Sequence, residues 1–194
     1  MGAPLDESVI AQLTKRLSEP SWMTQLRREA LARHGQLPWP HPSDDIWRRT
    51  DVSLLDPARG GFAPAQPGLL ERVAFSDREL AALTQPLGDE RFFVRLNGAF
   101  LTEPHHAADL VIEQLNEAAE QTPDPIRHAI EADGFTDAEQ KLSTLNTAFH
   151  HDDLFLHVRS PLADARPIRL VRVASAGAHE ALFPMTVLVI GAGN

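Results

Sequence analysis

The chain contains no cysteine. Structural disulfides and thiolate metal sites are therefore excluded, which fits a reducing compartment, and an iron–sulfur cluster held by this chain would need other ligands. No apolar run approaches the roughly 18 residues needed to cross a bilayer. The segment Met1-Gly2-Ala3-Pro4-Leu5-Asp6-Glu7-Ser8 turns acidic at once and has no apolar stretch of the secretory kind. Gly2 would suit myristoylation, but Asp6 stands where that signal wants Ser or Thr. A soluble, cytoplasmic protein is the expectation. Two catalytic signatures are missing as well. No GxxxxGK[ST] loop occurs, Gly191-Ala192-Gly193 has no following helix to supply a dipole, and there is no Gly-x-Ser-x-Gly elbow.

What is present is enough for a core. The 194 residues are 43% hydrophobic, so one ordinary domain or two small ones can fold. Eighteen basic against 27 acidic residues leave a net charge of -9, which argues against general phosphate binding and against nucleic acid as a partner.

Val9, Ile10, Leu13 and Leu17 recur at helical spacing over residues 6–18, and Glu19-Pro20 stops that helix and opens another. The second runs from about Ser21 to His34, with Trp22, Leu26 and Ala30 on one stripe, Arg27, Arg28 and Arg33 largely off it, and Gly35 as its C-cap. Residues 37–68 are rich in proline and glycine, as in Pro57-Ala58-Arg59-Gly60-Gly61, and read as a folded loop or linker. Within it, Trp47 beside Arg48 and Arg49 reads as an anchor with arginine stems over a buried ring.

Ser76 and Glu79 form a capping box for a short helix to Leu83, and Arg91 to Phe100 reads as a hairpin about Asn97-Gly98. The 3.6-residue recurrence of Ala108, Val111, Ile112, Leu115, Ala118 and Ala119 predicts a helix over 107–121. Pro123 and Pro125 end it, a short helix follows, and Gly134 stops the chain before a second capping box at Thr136 and Glu139. After Phe149 the pattern changes. Apolar β-formers recur at 154–158, 168–173 and 185–190 without helical segments between, a spacing that suits a β-solenoid as well as a sandwich. The expected organisation is a mainly helical region over 1–149 and a β-region over 150–194.

Nine histidines invite a metal reading, above all His150, His151 and His157 with Asp152 and Asp153 beside them. The better account is neutral boundary or surface histidines, and His105-His106 lies beside the predicted start of a helix, where an imidazolium is disfavoured. Asp152 or Asp153 could serve a small β-solenoid carbohydrate-active enzyme only as part of a carboxylate pair facing one groove. No residue stands out as catalytic, cofactor-binding or metal-ligating.

Three blocks together carry a resemblance: Glu19-Pro20-Ser21-Trp22-Met23 leading into an Arg-rich helix, Trp47-Arg48-Arg49-Thr50-Asp51, and Leu145-Asn146-Thr147-Ala148-Phe149 with Leu154-Phe155-Leu156-His157-Val158. With Pro167-Ile168 and Phe183-Pro184-Met185-Thr186-Val187-Leu188-Val189-Ile190-Gly191, they resemble, in order and approximate distance, the N-terminal portion of the SufB/SufD family of iron–sulfur cluster assembly proteins, the SufD branch in particular. The resemblance implies an α+β chain whose helical region is followed by the first coils of a right-handed parallel β-helix, truncated. It implies a non-catalytic scaffold that binds no cofactor itself and partners a SufB-like paralogue and a SufC-like ATPase. An open β-end would also permit a homodimer. In place of the family's Asn-Asp-Gly turn this chain has His150-His151-Asp152-Asp153. The resemblance implies that the family's sites for its ATPase and partner, and its later cysteine and histidine positions, are largely missing here.

Overall fold

A computed structural model describes residues 5–41, 43–52, 63–64, 76–132, 135–159, 161–164, 166–175 and 180–191. The Pro57–Gly61 segment, Gly134 and residues 192–194 lie outside them.

Helix α1 (Glu7–Leu17) starts where Asp6 accepts from the Ser8 hydroxyl and from the backbone N–H groups of Ser8 and Val9, and these bonds, the hydroxyl's first, hold the Asp6 carboxyl below its usual range. Helix α2 (Ser21–Gln36) follows. It runs through Gly35 rather than stopping there, because the buried Lys141 ammonium donates to the carbonyls of His34 and Leu37 at 2.7 and 2.8 Å and so caps the helix end from another element. The buried stripe is Met23, Arg27 and Ala30, with Trp22 and Leu26 only half-buried. Trp47 is half-buried rather than buried, and Arg48 and Arg49 are exposed.

Both capping boxes form: Ser76 with Glu79 opens α3 (Asp77–Leu83), and Thr136 with Glu139 opens α6 (Asp137–Phe149). The Asn97-Gly98 turn joins β2 (Arg91–Leu96) to β3 (Ala99–Phe100), both turn residues having positive φ, 45° and 89°, as a type I′ turn demands. The expectation of one helix over 107–121 fails in its first half. Leu110–Gln114 is strand β5, which pairs with β4 (His105–His106), and only Leu115–Gln121 is helix α4. Leu110-Val111-Ile112 is a continuous apolar run buried on both sides of the sheet, where a strand satisfies its backbone and its side chains better than a helix. Helix α5 (Pro123–Glu131) carries proline at its start, where no N–H is needed.

The β-region corrects the expected β-helix. β6 (Asp152–Val158), β7 (Ile168–Val173) and β9 (Pro184–Ile190) do not stack on one another as consecutive coils. β6 lies antiparallel to β5 and parallel to β9, giving a mixed sheet of order β4-β5-β6-β9. β7 joins β2 in a second sheet, β3-β2-β7, and the short β1 (Ala63–Pro64) pairs with β8 (Glu180–Ala181). Strands that precede residue 149 supply partners for β6, β7 and β8, so the fold is mixed α+β with six helices among the described residues.

The core is layered. Val9, Ile10, Leu13, Leu145, Ala148 and Phe149 pack α1 and α2 on α6. Met23, Leu115, Ile126, Phe155 and Val187 close the helices over one face of the four-stranded sheet, and Phe93, Leu110, Ile112, Leu154 and Val158 fill the space between the two sheets. Among the described residues no helix is long and apolar enough to cross a membrane.

Candidate functional site

The polar centre of the molecule is the four-residue junction between α6 and β6. His150, His151, Asp152 and Asp153 are all buried, although such a run reads as a solvated turn. They are buried because α6 and β6 are adjacent in sequence and both central in space, so their two-residue link must pass through the interior. Each polar group there then needs a partner.

Strand alternation assigns the partners. Asp153 shares its face with Phe155, toward the helices, and Asp152 shares its face with Leu154, toward the second sheet. On the inter-sheet side, Arg95 of β2 and Arg172 of β7 are register partners on adjacent strands and both reach Asp152. Arg95 Nε donates to Asp152 Oδ1 at 3.1 Å, and Arg172 Nε lies 3.5 Å from Oδ2. Arg95 is wholly buried (0% exposed), and burial pulls its guanidinium pKa down while Asp152 opposes the fall. Its Nη2 also donates to the carbonyl of Gly98 and to Gln114 Oε1, and its head stacks over the Phe100 ring.

On the helical side, Arg27 of α2, also 0% exposed, donates from Nε to both oxygens of Glu19 at 3.0 Å and from Nη1 to the Ala148 carbonyl at 3.2 Å. Its Nη2 lies 3.2 Å from His150 Nδ1 and 3.9 Å from Asp153 Oδ2. His150 Nδ1 and Asp153 Oδ2 are 2.5 Å apart, so one proton lies between them, and we place it on Nδ1 with the carboxylate accepting. His151 donates from Nδ1 to the Phe149 carbonyl at 3.0 Å, which leaves Nε2 as an acceptor. Burial pushes the His151 pKa down, with nearby Arg16 adding to the fall and the Phe149 bond opposing it.

Charges balance across the junction: Arg27, Arg95 and Arg172 face Glu19, Asp152 and Asp153, three of each sign. Such a cluster is costly to bury and costly to break, and it specifies how the elements around it meet.

The candidate residues of the sequence separate here. His150 and His151 are brought together, but His157 is six residues beyond His151, roughly 20 Å at strand rise, with its ring against Phe155. Among the described residues no three His, Cys, Asp or Glu side chains converge to hold a metal ion. Asp152 and Asp153 point to opposite faces of one strand, so they are not the paired carboxylates that glycoside hydrolysis needs. His105 and His106 sit on β4, not at a helix start, and His106 Nδ1 is 3.7 Å from the buried Glu113, whose pKa is raised by burial.

Arg27, Glu19, Arg95 and Arg172 were not legible as site residues. The one available signal was Arg27 itself, which sits four after Met23 and three before Ala30 and so interrupts an alternative apolar stripe.

This is a mixed α+β protein organised around a buried, self-neutralising ionic junction. No protein-family model and no curated protein matches the chain.

Proposed function

We propose that this chain is a non-catalytic scaffold component of iron–sulfur cluster assembly, SufD-like, acting with a SufB-like paralogue and a SufC-like ATPase. One observation carries the reading. Glu19, from the Glu-Pro-x-Trp block, holds Arg27, and Arg27 holds the Ala148 carbonyl of the Leu-Asn-Thr-Ala-Phe block. Two of the three blocks that resemble the family are thus one interlocked unit. Phe155, from the strand that follows, joins the same unit by packing with Met23 and Trp22.

A scaffold also needs surface that a partner can cover. Strand β9 ends the four-stranded sheet and carries no charged residue, with Leu188 and Ile190 52% and 57% exposed. An uncharged edge strand is a natural place for a partner chain to pair.

The test is co-purification of the whole chain with the SufB-like and SufC-like proteins of the same cell, with size and iron content read on the retained material. Stable retention of the SufB-like protein is the expected result. A folded chain that retains neither protein overturns the proposal.

A further inference from the structure

Asn97-Gly98 is the one Asn-Gly step in the sequence, and it is chemically reactive as well as turn-forming. An asparagine side chain can be attacked at Cγ by the backbone nitrogen of the next residue, and a following glycine, lacking Cβ, leaves that approach open. Asn116 and Asn146 precede Glu117 and Thr147, whose side chains crowd the same path. At Asn97 the attack forms a bond from the Gly98 nitrogen to Cγ and breaks the Cγ–Nδ2 bond, the Gly98 N–H proton leaving with Nδ2 as ammonia. Water then opens the resulting succinimide at either carbonyl, which leaves aspartate or isoaspartate at position 97.

In the folded chain the reacting groups are held. Asn97 is 4% exposed, its Nδ2 donates to the Ser175 carbonyl at 2.7 Å, and its Oδ1 accepts from the Ser175 N–H at 2.8 Å. Its own N–H donates to the Val173 carbonyl at 3.1 Å, and the Gly98 carbonyl accepts from Arg95 Nη2 and Gln114 Nε2. Attack makes the flat amide tetrahedral and turns it toward the Gly98 nitrogen, which the paired bonds to Ser175 oppose. Those bonds last only while the chain just past β7 lies against the turn.

We infer that Asn97 is a fold-gated deamidation site: the native turn keeps it intact, and detachment of the segment beyond β7 opens it to the reaction. The modification is also a one-way mark. Aspartate sets a buried carboxylate against the Ser175 carbonyl, and isoaspartate adds a carbon to the backbone of a tight turn, so modified chains lose the native hairpin. This inference does not depend on the assembly role.

Mass spectrometry of the full chain, incubated at mildly alkaline pH with and without urea, tests it. In urea the peptide holding Asn97 should gain the mass difference between amide and acid while Asn116 and Asn146 stay unchanged. The native chain should react at least about a hundredfold more slowly, a ratio set by how rarely the segment opens. Ser175→Pro lacks the N–H that holds Oδ1, so under native conditions it should react about tenfold faster than wild type, with circular dichroism showing it folded. Equal rates with and without urea, or no reaction in urea, overturn the inference. A folded Ser175→Pro chain that reacts no faster than wild type overturns it too. Once urea is removed, the refolded fraction should hold less isoaspartate at position 97 than the unrecovered fraction, and equal amounts overturn the one-way mark.

Discussion

Arg27 and Asp152 show what a single buried charge does in this protein. Arg27 holds Glu19 and Ala148 at once, so Arg27→Met leaves the buried Glu19 carboxylate with only the Thr24 hydroxyl and removes the guanidinium donor from the Ala148 carbonyl. The expected cost is about 3–5 kcal/mol, the usual consequence of removing one member of a buried ion pair, read as a lower urea midpoint. Glu19→Gln should cost less, because an amide still accepts from the guanidinium. The double variant should fall short of the sum of the two single losses by more than about 0.5 kcal/mol, and strict additivity would mean that the two side chains do not act together.

Protonation of His151 acts at the same scale. Its pKa is lower folded than the ordinary 6.5, so the unfolded chain takes up the proton first. Stability is therefore highest above pH 6.5 and falls as the pH drops through 6.5 toward the folded value. Buried Glu113 has the opposite sign: its raised pKa makes the fold gain stability as the pH falls toward 4.5. Urea titrations at successive pH values on the wild type and on His151→Leu separate the two, since the variant should lose the acid-side decline between neutrality and the folded His151 value. An identical pH profile in the variant would place the decline elsewhere.

Elements respond according to where they sit. The two capping boxes are chemically alike, and an alanine at either N-cap should cost about 1 kcal/mol. Thr136→Ala should lower global stability, because α6 lies in the core against α2, whereas Ser76→Ala should show mainly as faster amide exchange in α3. The hairpin turn is more demanding. Gly98 has φ +89°, and a Cβ there would lie 2.8 Å from the His151 carbonyl oxygen. Gly98→Ala combines left-handed strain of about 1–2 kcal/mol with a backbone clash against the ionic junction, so a loss of at least about 2 kcal/mol is expected in chemical denaturation. Asn97 in the same turn exchanges two hydrogen bonds with the Ser175 backbone, at 2.7 and 2.8 Å, and so ties the hairpin to the end of β7. A local turn signal thus also closes a contact 78 residues away in the chain.

At the scale of the whole molecule, the sheets cross the boundary at residue 149. β5 has β6 as its main partner, and β2 has β7. A chain of residues 1–149 alone would leave Leu110, Ile112 and Phe93 without their apolar neighbours Leu154 and Val158. It should show no cooperative unfolding transition, and a sharp calorimetric transition from that piece would establish the helical region as an independent unit.

What the sequence determined by itself was local. Caps, the Asn97-Gly98 turn, the starts of α1 and α2 and the three late strands follow from side-chain and backbone chemistry within a few residues, so they could be read directly. The tertiary structure alone decided which strands pair, that Leu110–Gln114 is strand rather than helix, and that the His150–Asp153 run is buried. These outcomes depend on partners far along the chain, such as Arg27, Arg95 and Arg172, and on the balance of desolvation against pairing that only the assembled layers set. An apolar period of 3.6 residues cannot register that a neighbouring strand is waiting, and a polar run cannot register that three arginines will surround it.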